Sequence, residues 1–359
     1  IAMGHDALGD AAVGESYNVS IGHAAMSKVD EGTNSGSGNH SADSNVAIGI
    51  QALYGGNLSD VSDSTDRALS GNIAIGGYAL DATGANPQTG TIAIGYQSLT
   101  ALTSGIGNTA IGYQAGDAVT TSAYNTVMGY EALGAEVTGG AATAVGWKAL
   151  GLQNKGDTNN TENTAVGFQS GYSNVTGTSN TYIGFQAGKG GTGNNSNNTA
   201  VGKDALLAIT TGTNNTTLGA AASEALAGGS NNTCIGYDTE TNAVGSTNDT
   251  VLGAGTTGQA DNSVTLGNAS VTKLFASQDG GAVISAGGLG IGLGTTAPGY
   301  VFEAYANGSG HPFHFKNDGN DANRYGIELT CGADDGSSAT IYLRANDGDG
   351  NETGHLLSS

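Results

Sequence analysis

The side chains of this chain that can do chemistry are few and poorly spaced for it. Its six histidines are His5, His23, His40, His311, His314 and His355. None stands at metal-ligand spacing from carboxylates, and the nearest group is His311-Pro312-Phe313-His314. Residues three apart on a strand point to opposite faces, so these two histidines do not share one ion from a strand. One of them could instead meet its own copies on a threefold axis and hold a transition metal there. Asn346-Asp347-Gly348-Asp349-Gly350-Asn351-Glu352 is similar to half of a calcium loop, without the flanking helices of an EF-hand. A plain acidic turn and a calcium site both fit it. Cys234 and Cys331 are the only cysteines and form no ligand spacing. No nucleophile elbow or phosphate loop is present. Carboxylate pairs for glycan hydrolysis would have to come from different coils or chains. The expectation is a non-enzymatic chain without a resident cofactor, with bound calcium or an axial transition metal as the exceptions.

Four residues near the C-terminus suit surface recognition. Phe313, His314, Arg324 and Tyr325 combine aromatic faces with a forked donor in a charge-poor stretch. They are the candidate receptor contacts, and ordinary packing is the alternative for each.

What must position such residues is a repeat. Asn-Thr-Ala-Ile-Gly or a close variant recurs fifteen times, counted by the glycines from Gly4 to Gly267. The commonest step is the one that leads from Gly95 to Gly112, on to Gly129 and again to Gly146. A period this short predicts a solenoid of stacked coils. With the motif glycine as zero, position −1 is always aliphatic or Met, and position −3 is always Ile, Val or Thr. Position −2 is usually small, as at Ala47, Ala93 and Ala110. This period-2 alternation predicts a strand in each copy.

The larger side chains are expected to face inward and the small ones outward, where a second backbone can approach. The Thr column, sharing a face with the aliphatic column, is then buried, which counts against ice binding. A coil of this length has room for two short strands and two turns, so its interior is thin. Ordering costs about 1–2 kcal/mol per residue in the backbone alone. Identical chains are therefore expected to pack side by side along their small-residue faces, in closed cyclic symmetry.

Two further columns run through the copies. Position −4 is Asn in ten of them, from Asn18 to Asn232. Asn tolerates left-handed turns and can bond its counterpart one coil away, so a ladder is expected. Position +1 is aromatic in six successive copies, Tyr96, Tyr113, Tyr130, Trp147, Phe168 and Phe185. A stacked ladder is the structural reading, and sugar binding the functional one. Cys234 falls in the small slot at −2 and reads as a buried thiol.

Two longer steps, Gly22 to Gly49 and Gly49 to Gly76, place loops at 30–44 and 55–71, and a shorter insertion lies at 151–161. The expected organisation is a shaft over 1–275, a Gly-rich neck over 276–298 and a β-rich tip over 299–359, with tip strands at 300–306, 312–315, 325–331 and 340–345.

Charge narrows the partners. With 10 Lys and Arg against 31 Asp and Glu, the net charge is −21. Phosphate binding needs cations, so nucleic acid is excluded as a partner. No run of about 20 apolar residues exists, so no membrane insertion is expected. Ile1 falls inside a repeat, which leaves the natural beginning of the chain open.

Asn-Thr-Ala-Ile-Gly-Tyr-Gln-Ala at 108–115, with its variants at 163–170 and 180–187, resembles the heads of trimeric autotransporter adhesins and bacteriophage tail fibres. The resemblance implies an all-β fold, a parallel left-handed β-roll or β-solenoid of about fifteen coils, homotrimeric and followed by a small tip. The adhesin repeat is usually shorter than the step seen here, which favours the phage group. The stretch 261–274 is similar to the junction in fibres matured by loss of a self-cleaving chaperone, and an end at Ser359 fits such cleavage. The implied role is receptor binding from a virion tail, with proximal tail-fibre or baseplate proteins as neighbours and a bacterial surface glycan or outer-membrane protein as target. An adhesin head on a bacterial cell surface and a glycan-depolymerising tail spike are the alternatives.

Overall fold

The computed structural model describes residues 1–9, 16–29, 42–55, 68–83 and 88–272, together with the backbone of four short strands beyond them. The chain divides into two units, Ile1–Lys273 and Leu274–Ser359.

In the first unit every motif copy forms a strand. Fifteen strands, from Ala2–Met3 to Val264–Leu266, pair in parallel into one sheet that follows chain order. The register is that of the repeat: Thr109 faces Thr126, Ala110 faces Val127 and Ile111 faces Met128. Fifteen strands make fourteen turns of a parallel β-solenoid. The described residues contain no helix.

Each coil contributes one strand of two or three residues to this sheet, not the two strands the coil length suggested. The remainder of the described coil is mostly turn and bend, with isolated bridges such as Ser230 to Thr247. Leu69–Ser70 and Gln88–Thr89 form a separate parallel pair, so the end of the expected loop at 55–71 is partly strand. The outer parts of both long insertions, 30–41 and 56–67, lie outside the described residues.

The facing of the strands is the reverse of the expectation. The small residues at −2 are buried, including Ala47, Ala93, Ala110 and Cys234, while the aliphatic and Thr positions beside them are half-exposed or exposed. The inner volume is filled from the turn, by Ala at +3 and Leu at +4, such as Ala132 with Leu133 and Ala149 with Leu150. A thin coil has space for one large column, and the turn supplies it. The residues beneath the strand are then mostly small, with Val127 and Val251 the larger aliphatic ones.

Exceptions are compensated locally. Tyr182 occupies the −2 slot yet is fully buried. A Cβ on Gly188 would meet its ring at 2.2 Å and one on Gly171 at 2.9 Å, so two missing side chains accommodate one large one. The Tyr182 hydroxyl donates to Asn195 Oδ1 at 2.6 Å.

The motif glycine is fixed by backbone contact. Gly112 has φ +140°, and a Cβ there would lie 2.5 Å from the Gly129 carbonyl oxygen of the next coil. The Asn column forms the expected ladder. Asn125 donates to Asn108 Oδ1 through its backbone N–H at 3.0 Å and its Nδ2 at 3.1 Å, and Asn232 does the same to Asn215 at 3.0 Å for both. Where Ala142 breaks the column, its backbone N–H still donates to Asn125 Oδ1 at 2.9 Å.

In the second unit, Ile291–Leu293 pairs in parallel with Phe302–Ala304, and Ala345–Asn346 pairs antiparallel with Glu352–Gly354. The first strand falls in the stretch read as a neck.

Candidate functional site

The candidate tip contacts Phe313, His314, Arg324 and Tyr325 lie outside the described residues. So do His40, His311, His355, Cys331 and the centre of the acidic run at 347–351. The sites that can be built are on the shaft.

The first is the outward face of the long sheet. Three columns stand on it, at −3, −1 and +1. Nine successive copies carry Thr at −3, from Thr109 to Thr250, and all are half-exposed or exposed. The expectation of a buried Thr column is therefore overturned, for the same reason that the sheet is reversed. The −1 column leaves large apolar groups open, with Met128 41% and Leu218 48% exposed. At +1 the six aromatic rings stack in line. Successive centroids from Tyr96 to Phe185 are 5.5, 5.0, 6.4, 4.6 and 5.1 Å apart, with planes within 16° of parallel. His5 and His23 stack in the same column at 5.3 Å.

The second site is a groove of about 430 Å³ on the turn side of the aromatic ladder. It is lined by Gln114, Asp117, Glu131, Lys148 and Tyr172 around Gly134 and Gly151. Column +5 explains it. Reading along successive coils, that column is Asp117, Gly134, Gly151 and Tyr172. Two adjacent coils lack a side chain there, and the gap is closed by a carboxylate at one end and an aromatic ring at the other. Lys148 Nζ and Glu131 Oε2 are 2.9 Å apart, and Lys148 Nζ also lies 4.9 Å from the centre of the Trp147 ring. The bond from Lys148, then that from Tyr130, holds the Glu131 carboxyl below its ordinary range. Burial, with Glu131 as a neighbouring charge, pushes Asp117 up. Gln114 Nε2 donates to Gln97 Oε1 at 3.0 Å. Residue-by-residue reading missed this groove, although its signal was present in the +5 column.

Other titratable groups have structural roles. Glu136 is buried where the 151–161 insertion begins to depart. Its Oε1 accepts from the Gly139 N–H at 2.8 Å and its Oε2 from Gln153 Nε2 at 3.2 Å. Cys234 is buried and free, and burial pushes its thiol up to about 11. Among the described residues no three His, Cys, Asp or Glu side chains gather as a metal site. No helix among them is long and apolar enough to cross a membrane.

The geometry defines an all-β repeat protein, a parallel β-solenoid with an apolar outer face and a polar groove. Compared with protein-family models, with curated proteins and with solved structures, the chain matches none.

Proposed function

We propose that this chain is the shaft and tip of a homotrimeric attachment fibre, carried on a virion tail, that holds a bacterial surface by multivalent, non-catalytic contact. The observation that supports it is the outward apolar face. Fourteen steps of about 4.8 Å give a face about 70 Å long, and its three columns make it about 13 Å wide. That is a face on the order of 900 Å²; with the Thr column set aside, the −1 and +1 columns alone keep it at or near the size of the largest apolar patch of a typical monomer, about 300–600 Å². Three chains around one axis cover this face completely, each stripe turned toward the other two. Left-handed winding and a C-terminal tip belong to the same reading, through the resemblance of the motif to phage fibres. Three weak ligand sites on one rod then bind a repeated surface ligand by avidity. Proximal fibre or baseplate proteins would hold the other end, and a cell-surface adhesin head would use the same geometry.

Sedimentation equilibrium tests it. The wild-type chain is expected at three times the mass of one subunit. Met128→Lys, Ile183→Lys and Leu218→Lys together are expected to dissociate it, and to weaken saturable staining of bacterial cells by about a hundredfold or more. A stable, folded wild-type monomer overturns the reading. Release of reducing ends from host polysaccharide would favour the tail spike instead.

The nine outward Thr favour a second reading. Their hydroxyl and methyl groups repeat at about 4.8 Å in register along one face, as an ice-binding surface requires. The two readings compete for one face. Thermal hysteresis from a monomer selects ice binding, and its absence from a trimer selects the fibre.

A further inference from the structure

We infer that the groove between Asp117 and Tyr172 is a carbohydrate site for an uncharged pyranose unit. The inference does not depend on which particle carries the chain.

The groove exists because Gly134 and Gly151 carry no side chain in the +5 column: the Tyr172 ring leans over Gly151, where a Cβ would lie 2.9 Å from it, and the space beside Gly134 stays open up to the Asp117 carboxylate. From Asp117 to Tyr172 is three coil steps, about 14 Å. Its volume of about 430 Å³ lies within the range of about 300–1,000 Å³ usual for small-ligand sites. The lining is mixed in the way a sugar demands. The carboxylates of Asp117 and Glu131 accept hydroxyl protons, and charged acceptors make the stronger hydrogen bonds. Lys148 has three donors, one directed at Glu131, so it can also donate to a ring or hydroxyl oxygen. The Tyr172 ring closes one end and offers an apolar face for the C–H side of a pyranose.

Charge selects among sugars. Glu131 and Lys148 neutralise each other, and Asp117 leaves the groove with one net negative charge. The whole chain carries −21. Uronic acids, sialic acids and phosphorylated sugars are repelled. The polar lining offers no bed for a lipid chain.

The chain carries its own reporter. Trp147 is the only tryptophan, and the ammonium of Lys148 lies 4.9 Å from the centre of its ring. The full chain is titrated with the methyl pyranosides of glucose, galactose, mannose and N-acetylglucosamine, and with glucuronate as the anionic control. At least one neutral glycoside is expected to give a saturable change in Trp147 emission, while glucuronate gives none.

Gly134→Leu directs a side chain into the groove at the cost of one tight backbone contact. A Cβ there meets nothing closer than the Glu131 carbonyl oxygen at 3.3 Å, and Asp117 Oδ1 lies at 3.5 Å. It is expected to weaken binding about tenfold or more, as is Asp117→Ala, which keeps the fold should the leucine disturb it. Glu224→Ala, in the +5 column several coils away, is expected to bind like wild type. A flat wild-type titration with all four neutral glycosides overturns the inference. So does wild-type affinity in both groove variants, or stronger binding of glucuronate than of the neutral sugars.

Discussion

Tyr182 and Gly188 show how little slack the interior has. Where other coils set Ala at −2 against Leu at +4, as Ala144 and Leu150 do, this coil exchanges the large and small partners. Tyr182→Ala is expected to cost about 3–5 kcal/mol, the usual cost of deleting a buried aromatic ring. Leu in place of Gly188 restores the volume from the other side. Its backbone is ready for it: φ is +56° at Gly188 and +50° at Leu150. The double variant Tyr182→Ala with Gly188→Leu is therefore expected to melt well above Tyr182→Ala alone. Gly188→Leu on its own is expected to be the worst of the three, since its side chain would enter the Tyr182 ring. Chemical denaturation of the three variants measures this, and additive losses would remove the compensation argument.

At the scale of the element, the unit is the column rather than the strand. Each interior strand of three residues has two neighbours and no stability of its own. Asn215 joins three coils: its Nδ2 donates to Asn198 Oδ1 at 3.0 Å, and its Oδ1 accepts both Asn232 donors. Asn215→Ala is expected to destabilise by about 2–4 kcal/mol, because each buried donor left unpaired costs about 1–3 kcal/mol. Asn215→Asp keeps the Oδ1 acceptor but turns a carboxylate oxygen toward Asn198 Oδ1 and the Gly229 carbonyl oxygen, so at neutral pH it is expected to lose at least as much as Asn215→Ala, and less in acid, where the protonated carboxyl can donate. Much of this was legible in the residues. Fifteen glycines gave fifteen strands in register, and the Asn and aromatic columns stack as their spacing requires. The inward face was not legible from the strand alone. Period-2 alternation groups −3 with −1 and sets −2 apart, but it does not say which set points in. Size suggested Ile and Val. The deciding residues were outside the strand, at Leu133, Leu150 and Leu206, which claim the interior from the turn. The groove was hidden for a related reason: Gly134 and Gly151 matter only beside Asp117 and Tyr172, neighbours in space but not in sequence.

At the scale of the molecule, charge and burial act in the same direction with pH. Burial raises the carboxyls of Asp81, Asp117 and Glu240 above their ordinary range. Between the ordinary value near about 4 and the raised one, the folded chain binds more protons than the unfolded chain, so this stability is present in acid and lost as pH rises through the raised values. Glu131 and Asp157 are lowered, chiefly by Lys148 and by the Asn159 backbone N–H, and oppose this only below about pH 4 to 5. Repulsion among the excess carboxylates also falls as they protonate. The chain is expected to melt higher at about pH 5 than at about pH 8, with part of the difference removed by added salt. Calorimetry across that range checks it, and a lower melting temperature at the acid end contradicts it.

The regular repetition of strand register has a consequence for inheritance. Coils that pair Thr with Thr and Ala with Ala are interchangeable where the step between their glycines stays constant, as from Gly95 to Gly146. An unequal crossover between two such copies removes or adds whole coils. Every column stays on its own side, and the rod changes length by about 4.8 Å for each coil. Reach is thus a quantity that this gene can tune by slippage alone, without redesigning a single contact.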